Sequence, residues 1–141
     1  MNQDEKMLYK KNTISYDLVI LFTLLNAIHV IFILKTITVD YKIGVYVMLA
    51  IIISMVSFLA AVKVQNYSLR WSYVVIFIGI FQACRFGFTP EEITGQLRTN
   101  LNIMLGISVI SILIGGIISI IKTKRRRYYI KNNYVGREII K

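Results

Sequence analysis

The sequence predicts an all-α fold in which four helices cross a membrane. Three observations support this fold class. Four long, almost uncharged apolar stretches cover most of the 141 residues. Hydrophobic residues make up 56% of the chain, and the mean hydropathy is +0.62, whereas soluble domains are about 45–50% apolar. The lysines and arginines are concentrated on one side of the predicted helices.

Each apolar stretch has about the length, ~20 residues, that a helix needs to cross the hydrocarbon core. A soluble fold would have to bury four wholly apolar helices in a chain too small to cover them. We therefore predict one transmembrane domain over residues 1–141. It has a polar arm at 1–16, spans at about 17–35, 43–63, 71–88 and 101–121, and a basic tail at 122–141.

The charge distribution predicts the orientation. Thirteen of the 17 lysines and arginines belong to the arm, the tail or the segment that joins spans two and three. The other four, Lys35, Lys42, Arg85 and Arg98, lie toward the opposite side. Because basic residues accumulate on the cytoplasmic side, we expect both the arm and the tail in the cytoplasm. Abundant Ile, Lys, Asn and Tyr indicate a bacterial genome, hence a multi-pass protein of the bacterial cytoplasmic membrane.

The densest group of cations follows span four and consists of Lys122, Lys124, Arg125, Arg126 and Arg127. It is typical of a topology signal, and we expect it to contact anionic lipids, at roughly 1 kcal/mol per basic residue near the surface. A basic group of this kind is non-specific by itself, so nucleic acid is not predicted as a partner.

A short amphipathic outer helix is predicted between spans three and four. Thr89 is a suitable N-cap, Pro90 suits the first helical position, and Glu92 completes a capping box. Ile93 and Leu97 then recur at a spacing of four residues, continuing to Leu101 at the start of span four. The segment is interpreted as a linker or as a lid or docking surface.

Stripes of small residues mark three spans. In lipid, helices associate through close contact and polar bonds rather than through burial of apolar surface, so such stripes indicate packing faces. We predict that spans two, three and four pack through them, within the chain, with a second copy or with a partner subunit. The stripes are Ala50, Ser54, Ser57 and Ala61 in span two, Gly79, Ala83 and Gly87 in span three, and Ser108, Ser111, Gly115 and Ser119 in span four.

Four polar residues at membrane depth are the candidate site. Asn26 and His29 share a face of span one, and Gln82 and Arg85 share a face of span three. The helical rise places His29 and Gln82 at similar depth, so a hydrogen bond between them is geometrically possible, with Arg85 near the outer headgroups. One interpretation is structural, with Arg85 directed outward. The other is a polar path or ligand site for an anion or a lipid headgroup, since arginine suits phosphate or carboxylate.

Catalytic and metal chemistry are not predicted. His29 is the only histidine, Cys84 is the only cysteine, and no acidic residue occurs within a span beyond Asp17, where span one begins. One histidine without nearby Cys, Asp or Glu cannot form a metal site, and a nucleophile would lack its base and orienting group. We expect no cofactor and no enzymatic activity.

The leading functional hypothesis is therefore a non-catalytic accessory or scaffold subunit of a larger bacterial membrane complex, or a homo-oligomer, acting through helix packing. The alternative is a small oligomeric transporter or channel for an anion or a lipid-linked substrate, with its path through spans one and three. A third hypothesis is a holin-like or regulatory protein that acts through assembly.

Overall fold

The fold consists of four long helices. A computed structural model describes residues 9–36, 38, 41–88 and 93–132, and these residues include no strand. The helices are α1 (Thr13–Thr36), α2 (Tyr41–Gln65), α3 (Leu69–Cys84, continued by a 3-10 turn at Arg85–Phe88) and α4 (Gly95–Ile130). All four are long and apolar enough to cross a membrane, α3 together with its 3-10 turn up to Gly87. The all-helical, four-span prediction is confirmed at this level.

The helices extend past the predicted spans, most of all in α4. With 36 residues, α4 is roughly 54 Å long, well beyond the ~30 Å hydrocarbon core. It includes the basic group from Lys122 to Arg127, so the described part of the predicted tail continues the helix. We call the end of the bundle that carries this group, together with Lys10 and Lys11, the basic end.

The start of α4 overlaps the segment that was predicted to form the outer helix. The capping-box residues Thr89 to Glu92 lie outside the described residues, so a separate outer helix stays a prediction. From Gly95 onward the backbone belongs to α4 itself. Ile93 and Leu101 are buried at the end opposite the basic end, with Leu97 packed against the same apolar cluster.

The helices form a bundle in which α1 and α4 have the largest contacts. α4 packs against α1 and α3, α1 also packs against α2, and α2 packs less extensively against α3. This makes α2 and α4 diagonal to each other. The stripes predicted contact among spans two, three and four, yet the face of α2 that carries Ala50 and Ser54 meets α1 instead.

Glycines allow α4 to approach two neighbours. A Cβ added at Gly116 would lie 2.6 Å from Ile76 Cδ1 of α3, and one at Gly115 would lie 3.1 Å from Leu18 Cβ of α1. Serine hydroxyls add bonds between the helices: Ser111 donates to the Leu18 carbonyl at 2.8 Å, and the Ser72 and Ser119 hydroxyls are 2.6 Å apart. Gly115, Ser111 and Ser119 of the α4 stripe thus contact α1 or α3 directly.

The stripe of α3 divides into a buried and an exposed part. Gly79 is buried, and an added Cβ would lie 2.6 Å from Leu113 Cδ2. Ala83 and Gly87 are exposed, and no atom of the described residues lies within 4 Å of the Cβ position of Gly87. Because an α-helix has 3.6 residues per turn, steps of four drift by about 40° each, away from the buried face. That face continues through Gln82 and Arg85 instead.

The turn between α2 and α3 has an unusual backbone. Tyr67 has φ 58°, in the left-handed region, which costs a non-glycine residue roughly 1–2 kcal/mol. Its N–H donates to the Val64 carbonyl at 3.0 Å, and the Ser68 N–H donates to the Lys63 carbonyl at 3.2 Å. These two bonds form a Schellman motif, in which glycine usually occupies the position of Tyr67. The Tyr67 ring also packs against the Arg126 guanidinium, a contact that glycine could not make.

Candidate functional site: a polar layer inside the bundle

The candidate site is a polar layer between two apolar clusters. On the side of the basic end, the first cluster includes Phe22, Val64, Val75 and Ile112. At the opposite end, the second includes Ile33, Val47, Ile93 and Leu101. Hydrogen-bonding side chains from all four helices fill the level between them: Asn26 and His29 on α1, Tyr46 and Ser54 on α2, Gln82 and Arg85 on α3 and its 3-10 turn, and Ser108 on α4.

Asn26 is the centre of this layer and is 1% exposed. Its Nδ2 donates to the Ala50 carbonyl at 2.9 Å and to Ser54 Oγ at 2.7 Å. Its Oδ1 accepts from Gln82 Nε2 at 3.3 Å and from Arg85 Nη1 at 2.6 Å. Both ends of the amide are therefore used in bonds to α2, to α3 and to the 3-10 turn.

Gln82 extends the network to α4. It is fully buried, and its Nε2 lies 3.4 Å from Ser108 Oγ, a long hydrogen bond. Its Oε1 accepts from Arg85 Nη1 at 2.8 Å. Ser108 in turn donates to the Leu105 carbonyl at 2.7 Å. Bonds of this kind between helices are worth about 0.6–2 kcal/mol each in membrane proteins.

Arg85 places a cation inside the bundle, where charge is costly unless it is compensated. It is 5% exposed, and its guanidinium carbon lies 4.5 Å from the centroid of the Tyr46 ring. The amide oxygens of Asn26 and Gln82 both accept from Nη1, while Nη2 is buried without a partner among the described residues. Asp17 is the only acidic residue in the described part of the chain. It precedes Asn26 by nine residues, roughly 13 Å along α1.

His29 lies next to this network rather than in it. It is buried, and its Nε2 is 3.1 Å from the Tyr46 hydroxyl. Its Nδ1 is buried without a partner in the described structure. Tyr46 thus connects His29 to Arg85, contacting one through its hydroxyl and the other through its ring face.

The structure brings together all four residues that the sequence singled out, but in a different arrangement. Gln82 bonds to Asn26 and Ser108, so the pairing of His29 with Gln82 that depth allowed is not formed. Arg85 points into the bundle instead of toward the outer headgroups. Its amide partners and the Tyr46 ring compensate the charge there, which makes an inward orientation tolerable.

Sequence reasoning missed Tyr46, and it assigned Ser54 and Ser108 to packing alone. A signal for Tyr46 was present: it precedes Ala50 by four residues and therefore continues the α2 stripe on the same face. Cys84 is exposed on the surface of the bundle. The described residues contain no group of three His, Cys, Asp or Glu side chains suited to a metal ion.

Two cations of the basic group contact other residues of the bundle, and three are exposed on its surface. Lys122 donates to Asn12 Oδ1 at 3.2 Å, and the Arg126 guanidinium carbon lies 4.8 Å from the centroid of the Tyr67 ring. Lys124, Arg125 and Arg127 are exposed. Burial raises the pKa of the Tyr67 phenol, and the nearby Arg126 charge acts in the opposite direction.

Comparisons of this chain with protein-family models, with curated proteins and with solved structures gave no match.

Proposed function

We propose that this protein is a non-catalytic, multi-pass subunit of the bacterial cytoplasmic membrane that acts as an accessory or scaffold component of a larger membrane complex. In this proposal the arm and the tail lie in the cytoplasm. The exposed cations Lys124, Arg125 and Arg127 contact anionic lipids of the inner leaflet.

The observation that carries the proposal is that the polar side chains at membrane depth bond mainly to one another. Asn26 uses both ends of its amide within the bundle, and Gln82 uses its amide to reach Ser108 and Arg85. A network that connects all four helices fixes their register and orientation. A rigid bundle with an apolar exterior is suited to packing against other membrane helices.

The exposed face of α3 favours contact with a partner helix. Ala83 and Gly87 are exposed and lack side chains that would hold a neighbouring helix at a distance. Small residues of this kind are enriched where membrane helices approach closely. Large apolar residues are exposed elsewhere on the bundle, among them Met48, Met55, Phe77 and Ile110.

The test is co-purification of the full chain from the cells that naturally produce it, in a mild detergent and in polymer-bounded lipid discs. We expect a partner, or a second copy, at a defined stoichiometry. Gly87→Leu should reduce this association, whereas Gly44→Leu, a matched change at another glycine with open space around its Cβ position, should preserve it. A homogeneous monomer in both media would contradict the proposal.

A transporter or channel for an anion or a lipid-linked substrate is the second candidate, because Arg85 Nη2 is buried without a described partner. An anion passing through the bundle would be attracted by the positive charge of Arg85. The test is flux of radiolabelled phosphate or chloride into liposomes, comparing wild type, His29→Ala, Arg85→Ala and the exposed control Arg70→Ala. Equal flux in all four proteins would eliminate this candidate.

A further inference from the structure

A cleft of about 190 Å³ lies at the basic end of the bundle. It is formed by the residues that precede α1, the turn after α2 and the last part of α4. Its lining residues include three cations, Lys10, Lys11 and Arg126, together with Tyr67, and no carboxylate belongs to the described part of the lining. Such a concentration of positive charge around a concave site raises the local concentration of anions.

The walls of the cleft are held in place by hydrogen bonds between distant parts of the chain. The Asn12 N–H donates to the Gln65 carbonyl at 3.0 Å, and Asn12 Oδ1 accepts from Lys122 at 3.2 Å. The Tyr67 hydroxyl donates to the Lys10 carbonyl at 3.0 Å. The cations are thus brought together by a fixed framework, which lowers the ordering that a ligand would have to impose.

Arg126 is the cation best placed to recognise a ligand by geometry. Its guanidinium lies over the Tyr67 ring, which restricts its plane. Its Nε is buried and has no hydrogen-bond partner among the described residues. Arginine presents its N–H groups as a planar fork that matches the oxygens of a phosphate group.

The backbone conformation of Tyr67 is a further observation. A tyrosine holds a left-handed conformation where glycine would be unstrained, and its ring and hydroxyl contact Arg126 and Lys10 on two walls of the cleft. Strained residues held by their surroundings cluster at binding sites.

We propose that this cleft binds a phosphate group, contributed either by an anionic lipid headgroup or by free phosphate. Arg126 donates hydrogen bonds to the phosphate oxygens, and Lys10 and Lys11 supply further positive charge. Three cations favour a phosphate over an isolated carboxylate. Such binding differs from diffuse attraction to a membrane because it requires the cations that line the cleft rather than any exposed cation. It does not depend on the proposed function.

The experiment uses the full chain in phosphatidylcholine nanodiscs at constant ionic strength. One arm adds phosphatidylglycerol at increasing mole fraction, and the other adds inorganic phosphate. Bound lipid is counted by native mass spectrometry, and the stabilisation of the fold by either probe is followed through the thermal midpoint, which rises with saturation. Saturation with the lipid alone identifies a headgroup as the source, and saturation with inorganic phosphate identifies the free ion; either outcome supports the proposal.

The control compares an arginine of the cleft with an exposed arginine elsewhere. Arg126→Gln should weaken binding about tenfold or more, as expected for losing a charge-assisted hydrogen bond. Arg70→Gln removes the same charge from an exposed position that does not line the cleft and that is not among the proposed lipid contacts, and it should weaken binding by less than about twofold. Equal losses in the two variants, or no saturable binding of either probe by the wild type, would overturn the proposal.

A second pair of variants, at two lysines, replaces the first if Arg126→Gln does not fold, as judged by circular dichroism and gel filtration. Lys11→Gln changes an exposed lysine of the cleft, and Lys63→Gln changes an exposed lysine outside it. We expect weaker binding only in the first. Equal affinities in this pair would overturn the proposal.

Discussion

Asn26 and Arg85 are 59 positions apart in the sequence, and Arg85 Nη1 donates to Asn26 Oδ1 at 2.6 Å in the interior of the bundle. The bond joins α1 to the 3-10 turn that ends the third span. It gives the buried Arg85 cation a hydrogen-bond acceptor on the neutral Asn26 amide, which also bonds to α2. This amide therefore affects the stability of the bundle, the rotation of its helices and the burial of the Arg85 charge.

Replacing Asn26 should therefore destabilise the bundle. Asn26→Leu keeps a similar volume but removes two donated and two accepted bonds, leaving Arg85 with fewer acceptors. We expect a loss of about 1–3 kcal/mol in the free energy of unfolding, since bonds to charged groups exceed neutral ones. Unfolding in mixed micelles with increasing SDS measures it. Asn102→Leu, at a half-buried position outside the polar layer, is the control and should change stability by less than half as much.

Tyr46 should stabilise Arg85 mainly through its ring. In double-mutant cycles with Arg85→Gln, Tyr46→Leu should show a coupling of about 0.5–2 kcal/mol, the range of a desolvated cation–π contact. Tyr46→Phe keeps the ring, loses the hydroxyl that lies next to His29 and should show a much smaller coupling. If both changes gave the same coupling, the hydroxyl rather than the ring would be responsible.

Gly116 should be required for the approach of α3 to α4. Gly116→Val introduces side-chain atoms where Ile76 Cδ1 already lies 2.6 Å from an added Cβ. We expect destabilisation of about 1–3 kcal/mol from overpacking, measured by the same unfolding assay. Gly44→Val, where no described residue lies within 4 Å of the Cβ position, controls for the change in helix propensity. Similar stability of the two variants would show that the helices can separate without cost.

The stability of the protein should fall in alkaline solution in a way that depends on Tyr67. Burial raises the pKa of its phenol above the ordinary value of 10.0, so the folded state holds this proton more tightly than the unfolded state. This contribution is complete below pH 10 and is lost as the pH rises through the raised pKa. Between pH 9 and 11, the thermal midpoint of the wild type should fall more steeply than that of Tyr67→Phe. Parallel curves would contradict this assignment.

The orientation can be tested with single cysteines in a Cys84→Ser background. We expect Lys124→Cys to be shielded from a membrane-impermeant maleimide in intact cells and to react after lysis. Thr38→Cys, between α1 and α2, should react in intact cells. The distribution of lysine and arginine predicts this result. The opposite labelling pattern would invert the proposed topology.

The number and approximate limits of the spans could be predicted from sequence because hydropathy and helix length are local properties. In lipid, each helix satisfies its own backbone hydrogen bonds, so a stretch such as Leu18 to Leu34 indicates its own structure without reference to its neighbours. The four polar residues were identified for the same reason, since any polar side chain within such a stretch is conspicuous. The limits of α4 could not be predicted as well, because its helix continues into charged residues that hydropathy excludes.

The sequence by itself thus determined four helices that are long and apolar enough to cross a membrane, and it identified four residues of the polar layer. Only the tertiary structure decided that Asn26 bonds to Gln82 and Arg85, that Tyr46 joins them, and that α1 lies between α2 and α4. A shift of one residue rotates a helical side chain by about 100°, so partners depend on the rotation and depth of every helix at once. Strict four-residue steps drift around the helix, so Ala83 and Gly87 lie on the exterior of α3, where their packing with a second copy or a partner stays a prediction. The structure turns Gln82 and Arg85 inward.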